Sequence, residues 1–220
     1  IPPREKGLVR SGQIVTVEIT DYPTRQLGAK GRIAEILGDH MDPGMEIDVA
    51  IRSHGIPFEW PEDVQAEAAS LEVEPLEKDK EHRIDLRKLP FVTIDGEDAR
   101  DFDDAVYCEK NTSAWKLFSG GWKLYVAIAD VSHYVKHGTA LDVEARRRAT
   151  SVYFPGRVVP MLPEELSNGL CSLKPEVDRL ALVCEMEIGR DGALGKHWFF
   201  EAVIRSAARL TYTRVQRAQD

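Results

Sequence analysis

The chain has 220 residues, of which 43% are hydrophobic and 30% are charged, and its formal net charge at pH 7 is −8. This apolar content is ordinary for a globular protein and argues against wholesale disorder. No run approaches the roughly 18 apolar residues that a membrane-spanning helix requires, so we expect no membrane association. The negative charge argues against a protein that encloses nucleic acid in a wholly basic surface.

The three cysteines, Cys108, Cys171 and Cys184, are scattered and form no Cys-x-x-Cys pair. Reduced, buried thiols in a cytoplasmic protein are therefore the expected state. The N-terminus lacks the apolar core of a signal peptide, which also favours the cytoplasm. The chain begins without methionine and stops inside a predicted helix start, so we expect it to be part of a longer protein.

Residues 1–57 carry short strand patterns separated by turn residues. Positions 14–20 and 31–37 alternate apolar and polar side chains, and a further strand is predicted at 47–52, after the turn at Pro43-Gly44. Strands at this spacing are typical of a small barrel, but three or four are too few to close one. We therefore expect residues 1–57 to be the C-terminal part of a β-barrel domain.

Residues 58–88 are rich in Glu and Asp, and a charge run at 77–81 follows Pro75. A helical turn or two is predicted at 64–71, after Pro61. The remainder of the segment has the composition of a solvated connector. We expect an acidic linker here between two domains.

Residues 89–220 have the pattern of a mixed α/β domain. Helices are expected after Thr139, which is placed to cap a helix through Arg148, and after Pro163. Strands are predicted at 91–94, 105–108 and 124–129, and an antiparallel hairpin at 180–188 and 197–205.

The most informative feature is an acidic run at 95–104 between two apolar strand patterns. From Asp95 to Glu109 there are seven acids and one base, a net charge of −6, which leaves −2 for the rest of the chain. Two carboxylates 4 Å apart repel by about 1 kcal/mol in water and about 4 kcal/mol at an effective dielectric constant near 20. Either the side chains splay into solvent, as in any acidic loop, or a cation lies among them.

Oxygen ligands suit a hard cation such as Mg²⁺, Mn²⁺ or Ca²⁺. A calcium loop fits poorly, because Ala105 and Val106 occupy positions that need a ligand and a glycine. Mg²⁺, with Mn²⁺ as a substitute, fits better. Clustered aspartates that hold Mg²⁺ beside a phosphate are typical of metal-assisted phosphodiester hydrolysis.

Four ordered motifs resemble those of the ribonuclease II family catalytic (RNB) domain. They accompany the acidic signature TIDGEDARDFDDA at 93–105 and read VAIADVS at 126–132, TSVYFP at 150–155, LPEELSNGLCSL at 162–173 and ARLTY at 208–212. Residues 11–57 resemble the end of the cold-shock (OB-like) domain that precedes it. The resemblance implies an α+β protein, with a partial cold-shock/OB-like β-barrel followed by the N-terminal part of a mixed α/β RNB domain.

The resemblance also implies an activity and a set of site residues. The family degrades single-stranded RNA from a free 3′ end, processively, to nucleoside 5′-monophosphates. Its motif aspartates fall on four positions of this chain. Asp95, Asp101 and Asp104 would help to hold Mg²⁺, and Asp103 would be the one most needed for the chemical step.

Two tyrosines are implied as RNA-binding residues. Tyr153 matches the family tyrosine that stacks on a base near the scissile end, and Pro155 favours a loop over a core strand for it. Tyr212 matches a position linked to RNA selectivity, although a strand tyrosine there could simply pack in the core.

An alternative remains open at this point. Later parts of the family's catalytic domain and its C-terminal RNA-binding domain lie beyond the resemblance. The isolated chain could therefore be a catalytically inactive fragment that binds RNA or metal. The sequence leaves its protein partners unknown.

Overall fold

A computed structural model describes residues 9–40, 42–111 and 120–220. Within these ranges, no helix is long and apolar enough to cross a membrane. The chain forms two compact units. The first contains the residues up to Glu59 together with Phe154–Arg157, and the second contains Trp60–Tyr153 and Val158–Asp220.

The first unit contains an antiparallel pair of strands, β1 (Gln13–Asp21) and β2 (Lys30–Asp39). Both match the strands predicted from the alternating pattern. They are joined by the turn segment 22–29, and the register between them shifts at several points.

A helix, α1 (Met45–Ser53), follows these strands, so the strand predicted at 47–52 is wrong. Ile47 and Ile51 are both buried, and residues four apart lie on the same helix face. Acidic residues occupy the first turn and an arginine the last turn, which suits the helix dipole. The few apolar residues of this segment fit both the two-residue period of a strand and the 3.6-residue period of a helix, and the charged residues at its ends favour the helix.

The second unit is built on a mixed sheet of seven strands, and two further strands form a separate hairpin. The strands are β3 (Ile84–Asp85), β4 (Val92–Asp95), β5 (Asp104–Lys110), β6 (Trp122–Ala129), β7 (Val152–Phe154), β8 (Arg157–Val159), β9 (Asp178–Ile188), β10 (Leu194–Arg205) and β11 (Ala208–Thr211). The sheet has the order β11-β4-β5-β6-β9-β10-β3, and the hairpin consists of β7 and β8, whose residues 154–157 belong to the first unit. In the sheet, the β11–β4 and β10–β3 pairs are parallel, and the other pairs are antiparallel.

The helices of this unit include the two that the sequence predicts after Pro61 and Thr139. The Thr139 hydroxyl accepts a hydrogen bond from the Asp142 backbone N–H at 3.5 Å, which caps the second of these helices. The segment after Pro163 forms a π-helical turn, Glu165–Leu170. The helices are α2 (Glu62–Ala69), α3 (Glu77–Lys80), α4 (Val131–Tyr134), α5 (Ala140–Arg148) and α6 (Tyr212–Gln219).

The core of the second unit lies on one face of the sheet, beneath α2, α5 and the π-helical turn. Phe91 is fully buried at its centre, with its ring 6.0 Å from that of Tyr107 and 6.3 Å from that of Tyr125. The Leu141 N–H at the start of α5 donates to the Glu67 carboxylate of α2 at 3.0 Å. This hydrogen bond joins α5 to α2 on the buried face of the sheet.

The segment predicted as a solvated connector packs instead against the second unit. Val64 and Ala68 of α2 are buried, and β3 pairs with β10. The acidic composition concealed this packing, because the two buried side chains are four residues apart on one helix face, while Glu62 and Asp63 of the same helix are exposed. The sequence-based domain limits of 1–57, 58–88 and 89–220 stay predictions.

Candidate active site

The four predicted acids gather where strand β4 connects to strand β5. Asp95 is the last residue of β4, Asp104 is the first of β5, and the loop 96–103 between them carries Asp101 and Asp103. Because β4 and β5 are antiparallel neighbours, the chain must turn back at this point. A run of acids in sequence therefore becomes a cluster at the end of β4 and the start of β5.

Phe102 anchors the second half of this loop. Its side chain is buried at 6% exposure. Its backbone N–H donates to the Ser172 hydroxyl at 3.1 Å, and its carbonyl accepts from the Leu173 N–H at 2.8 Å. Asp101 and Asp103 flank this anchored residue, so their backbone positions are fixed by the core beneath them.

The acids affect one another electrostatically. Burial raises the pKa of the Asp103 carboxyl above its ordinary value, and the negative charges of the other three acids raise it further. Burial also raises the pKa of Asp95, with added contributions from Asp104 and Asp101. Charge crowding of this kind is typical of functional sites, although structural networks also produce it.

The donor chemistry of the cluster fits a hard divalent cation. The three candidate ligands, Asp95, Asp101 and Asp104, are all carboxylates, and Oδ2 of Asp95 is buried with no hydrogen-bond partner among the described residues. In the described part of the chain, no three carboxylate, imidazole or thiolate groups already stand together as a metal-binding set. Magnesium is usually held by one or two protein carboxylates together with water and substrate phosphate. The residues fit an ion bound in that way.

Tyr153 lies in β7, and its hydroxyl donates a hydrogen bond of 2.6 Å to Oδ2 of Asp101. This bond, followed by partial burial, raises the pKa of Tyr153 to about 12. The side chain is 63% exposed, so it is not a core tyrosine. The loop expected from Pro155 is wrong: residues 155 and 156 form the tight turn between β7 and β8.

Tyr212 lies at the same end of the sheet as Asp95. It is the first residue of α6, and Thr211 before it pairs with Asp95 across the parallel strands β11 and β4. The side chain is 66% exposed, so the simple packing role considered for a strand tyrosine is wrong. Thr211 caps α6 by accepting a hydrogen bond from the Arg214 N–H at 3.2 Å.

Two residues that hold the acidic loop carried no assigned role in the sequence analysis, Ser172 and Arg209. Ser172 is fully buried, and its hydroxyl also donates to the Arg100 carbonyl at 2.9 Å. Arg209 donates to the carbonyl oxygens of Gly96 and Glu97. Both lie in recognised motifs, but sequence spacing gives no sign of contacts across 70 or more positions.

The fold and this cluster define the class of protein. Residues 83–220 match the RNB domain family, and residues 1–61 match the cold shock domain family. The chain therefore belongs to the RNB domain family, and the α+β class expected from the sequence is confirmed, with a cold-shock/OB-like part followed by the N-terminal region of the RNB domain.

Relatives with this organisation carry the name ribonuclease R. The chain is 58% identical to ribonuclease R of Escherichia coli K12 over 215 residues, which cover 98% of this chain and 26% of that protein. It is also similar to two structures of Mycoplasma genitalium RNase R, one with double-stranded RNA and one with ribose-methylated single-stranded RNA. Both have a TM-score of 0.87 at 34% identity over the whole of this chain, and they are covered to 37% and 32%. The chain thus spans about a quarter of the curated relative's length.

Proposed function

We propose that this chain supplies the metal-binding and catalytic acids of a Mg²⁺-dependent 3′-to-5′ exoribonuclease. The proposed enzyme acts processively on single-stranded and structured RNA with a free 3′ end and releases nucleoside 5′-monophosphates; Mn²⁺ is a possible substitute for Mg²⁺. The observation that carries the proposal is the position of Asp103, whose pKa is raised by burial and by the three neighbouring acids. The RNA complexes of the Mycoplasma relative support the substrate class.

The acids divide into two roles in this proposal. Asp95, Asp101 and Asp104 hold Mg²⁺, directly or through water. When bound, the ion supplies neutralisation of the phosphate charge and activation of water. Asp103 orients the attacking water, and its backbone position is fixed because it follows the anchored Phe102.

The two exposed tyrosines serve the RNA rather than the chemical step. An aromatic face grips a terminal base without reading its identity, and such stacking contributes about 1–3 kcal/mol per base. Tyr153 is suited to this role because its ring is exposed while its hydroxyl is held by Asp101. Tyr212, beside the Asp95 end of the sheet, is proposed to contribute to RNA selectivity.

A non-hydrolytic RNA- or metal-binding module is the second candidate. It is favoured by the share of the relatives that the chain covers, 26% of the Escherichia coli protein. In that case the acids would bind an ion but would lack partners needed to cleave the backbone. The two candidate functions differ in one product: only the exoribonuclease releases mononucleotides from RNA.

The test uses a hybrid of Escherichia coli ribonuclease R in which this chain replaces the matched 215-residue segment. Only when Mg²⁺ is present should the hybrid release labelled mononucleotides from internally labelled single-stranded RNA and progressively shorten 5′-labelled RNA. Asp103→Asn in the hybrid should lower turnover by about 10²- to 10⁴-fold, because the group that orients water is lost. RNA affinity should stay the same or rise slightly, since one negative charge near the phosphate is removed.

The 220-residue chain alone is assayed in parallel, and the parent enzyme serves as the positive control. An active hybrid with an inactive isolated chain supports a competent site that needs further polypeptide. Asp98→Asn, an exposed acid of the same loop outside the proposed set, is the matched control and should keep normal turnover. Comparable turnover in the Asp103→Asn hybrid removes Asp103 from the chemistry.

A further inference from the structure

The acid-bearing loop 96–103 is attached to the domain at both of its halves. The second half is held through the buried Phe102, as described above. At the first half, the Arg209 side chain donates from Nη2 to the carbonyl oxygen of Gly96 at 2.9 Å and also to that of Glu97. The backbone just after Asp95 is thus fixed by a side chain from another strand.

The same guanidinium group also reaches the second half of the loop. Its central carbon lies 5.1 Å from the centre of the Phe102 ring, which is within the range of a cation–π contact. Phe102 separates Asp101 from Asp103 in the sequence. One side chain therefore contacts both the segment that follows the first acid and the residue between the next two.

The strand register explains how one residue spans this distance. In the parallel pair β11–β4, Arg209 lies opposite Thr93 and Thr211 lies opposite Asp95. The side chain thus starts two positions before the end of β4 and extends past Asp95 to the loop. A planar guanidinium can bond two acceptors and lie over a ring at once, whereas a lysine ammonium is a compact point charge.

We propose that Arg209 is a positioning residue, which sets the placement of the acidic loop for divalent metal binding and acts without contacting RNA. This inference rests on the proposed function for its metal-binding consequence. The consequence for the loop itself does not depend on any metal. Two measurements therefore test the proposal: amide exchange reports the order of the loop, and calorimetry reports the affinity for the metal ion.

Loop order is measured by hydrogen–deuterium exchange on the metal-free 220-residue chain. Arg209→Met should accelerate amide exchange in peptides covering residues 96–100 by about tenfold, because local protection follows the contacts that close a segment. Peptides from the β9–β10 hairpin should be unaffected, which shows that the domain remains folded. The exchange rate of Arg209→Lys should lie between those of the wild type and Arg209→Met, since lysine keeps the charge but loses the planar group over the Phe102 ring.

The consequence for metal binding is measured by titration calorimetry with Mn²⁺ in the absence of RNA. Arg209→Met should weaken binding by about 10- to 100-fold, the loss typical when a partner that orients metal ligands is removed. Arg214→Met is the matched control. It removes an equal charge from the exposed first turn of α6, at a residue whose backbone N–H is bonded to Thr211, and should change Mn²⁺ affinity by less than about twofold.

The outcomes separate this proposal from the proposed function. Unchanged exchange at 96–100 in Arg209→Met overturns the positioning role, whatever the metal data show. Unchanged Mn²⁺ affinity in Arg209→Met, with a wild-type chain that binds Mn²⁺, also overturns it and leaves the metal site standing. If the wild-type chain binds no Mn²⁺ but exchange rises as expected, the proposed function fails while Arg209 keeps its structural effect. Equal losses in the Arg209 and Arg214 variants would show that the effect is not specific to Arg209 and would overturn the proposal.

Discussion

At the scale of single residues, the bond between Tyr153 and Asp101 links the two parts of the candidate site. The tyrosine hydroxyl occupies one oxygen of a carboxylate that is proposed to hold metal. The ring itself is free to meet a base, because 63% of the side chain is exposed. Ring and hydroxyl can therefore be tested separately by comparing phenylalanine with alanine at this position.

Tyr153→Ala should weaken binding of a short single-stranded RNA by about 1–3 kcal/mol, because the stacked base is lost. Tyr153→Phe should retain most of the affinity, because it keeps the aromatic face. Both are measured by fluorescence anisotropy with the hybrid carrying Asp103→Asn, so that the RNA stays intact. Wild-type affinity in the alanine variant would show that no base stacks there. Equal losses in both variants would assign the effect to the bond with Asp101.

The residue types of the site could be predicted from the sequence, but their contacts could not. The four aspartates and two tyrosines were identified through motifs of fixed spacing. The bond from Tyr153 to Asp101 joins positions 52 apart, and that from Arg209 to Gly96 joins positions 113 apart. Such contacts depend on strand order and register, which local spacing does not specify.

At the scale of elements, most strands of the sheet were predicted well, including the short apolar ones that form β4, β5 and β6, whereas the strand predicted at 47–52 is wrong. The β9–β10 hairpin was predicted from alternating residues flanking an Asp-Gly turn, and the structure confirms it. Residues 47–52, which lie in helix α1, were predicted as a strand. A segment of four to six residues is too short to distinguish the two-residue period of a strand from the 3.6-residue period of a helix. The supposed connector packs on the sheet because partners distant in sequence stabilise it.

One of those partners, Asp178, ties the segment around α3 and β3 to the sheet. Its carboxylate is 13% exposed and accepts hydrogen bonds from three basic side chains. The partners are Lys80 at 3.1 Å, Arg87 at 3.1 Å and Arg205 at 2.6 Å. Burial acts to raise the pKa of Asp178, but these three hydrogen bonds outweigh it and hold the pKa below its ordinary value.

Asp178→Asn should lower the free energy of unfolding at pH 7 by about 1–3 kcal/mol, because partly buried cations lose their acceptor. A carboxyl with a lowered folded-state pKa contributes stability above its ordinary pKa of about 4 and loses it as the pH falls through the folded value. The difference between wild type and variant should therefore shrink below about pH 4. Urea unfolding followed by the fluorescence of the chain's four tryptophans measures both effects.

Glu77→Gln is the control for this change. Glu77 pairs with Lys80 at 2.8 Å, but its side chain is 88% exposed, so the variant should change stability by less than about 0.5 kcal/mol. A loss in Glu77→Gln equal to that in Asp178→Asn would contradict the importance given to the buried acceptor. A difference that is the same at pH 7 and pH 3 would contradict the role of its ionised form.

At the scale of the whole molecule, the distribution of charge is the unusual property. Residues 95–109 carry −6 of the net −8, and the fold gathers four of the five aspartates of that segment, Asp95, Asp101, Asp103 and Asp104, where β4 connects to β5. An RNA phosphate that approaches these aspartates is repelled unless a cation lies between the phosphate and the carboxylates. Divalent metal binding is therefore the claim on which the proposed hydrolysis depends.

Titration calorimetry of the 220-residue chain with Mn²⁺ and Mg²⁺ tests this claim most directly. The double variant Asp95→Asn, Asp104→Asn should bind at least about tenfold more weakly than the wild-type chain. Asp98→Asn, which removes an exposed acid from the same loop, should bind like wild type. The account predicts metal uptake that depends on the proposed acids alone. The absence of uptake, or the same loss of affinity in Asp98→Asn, would contradict it.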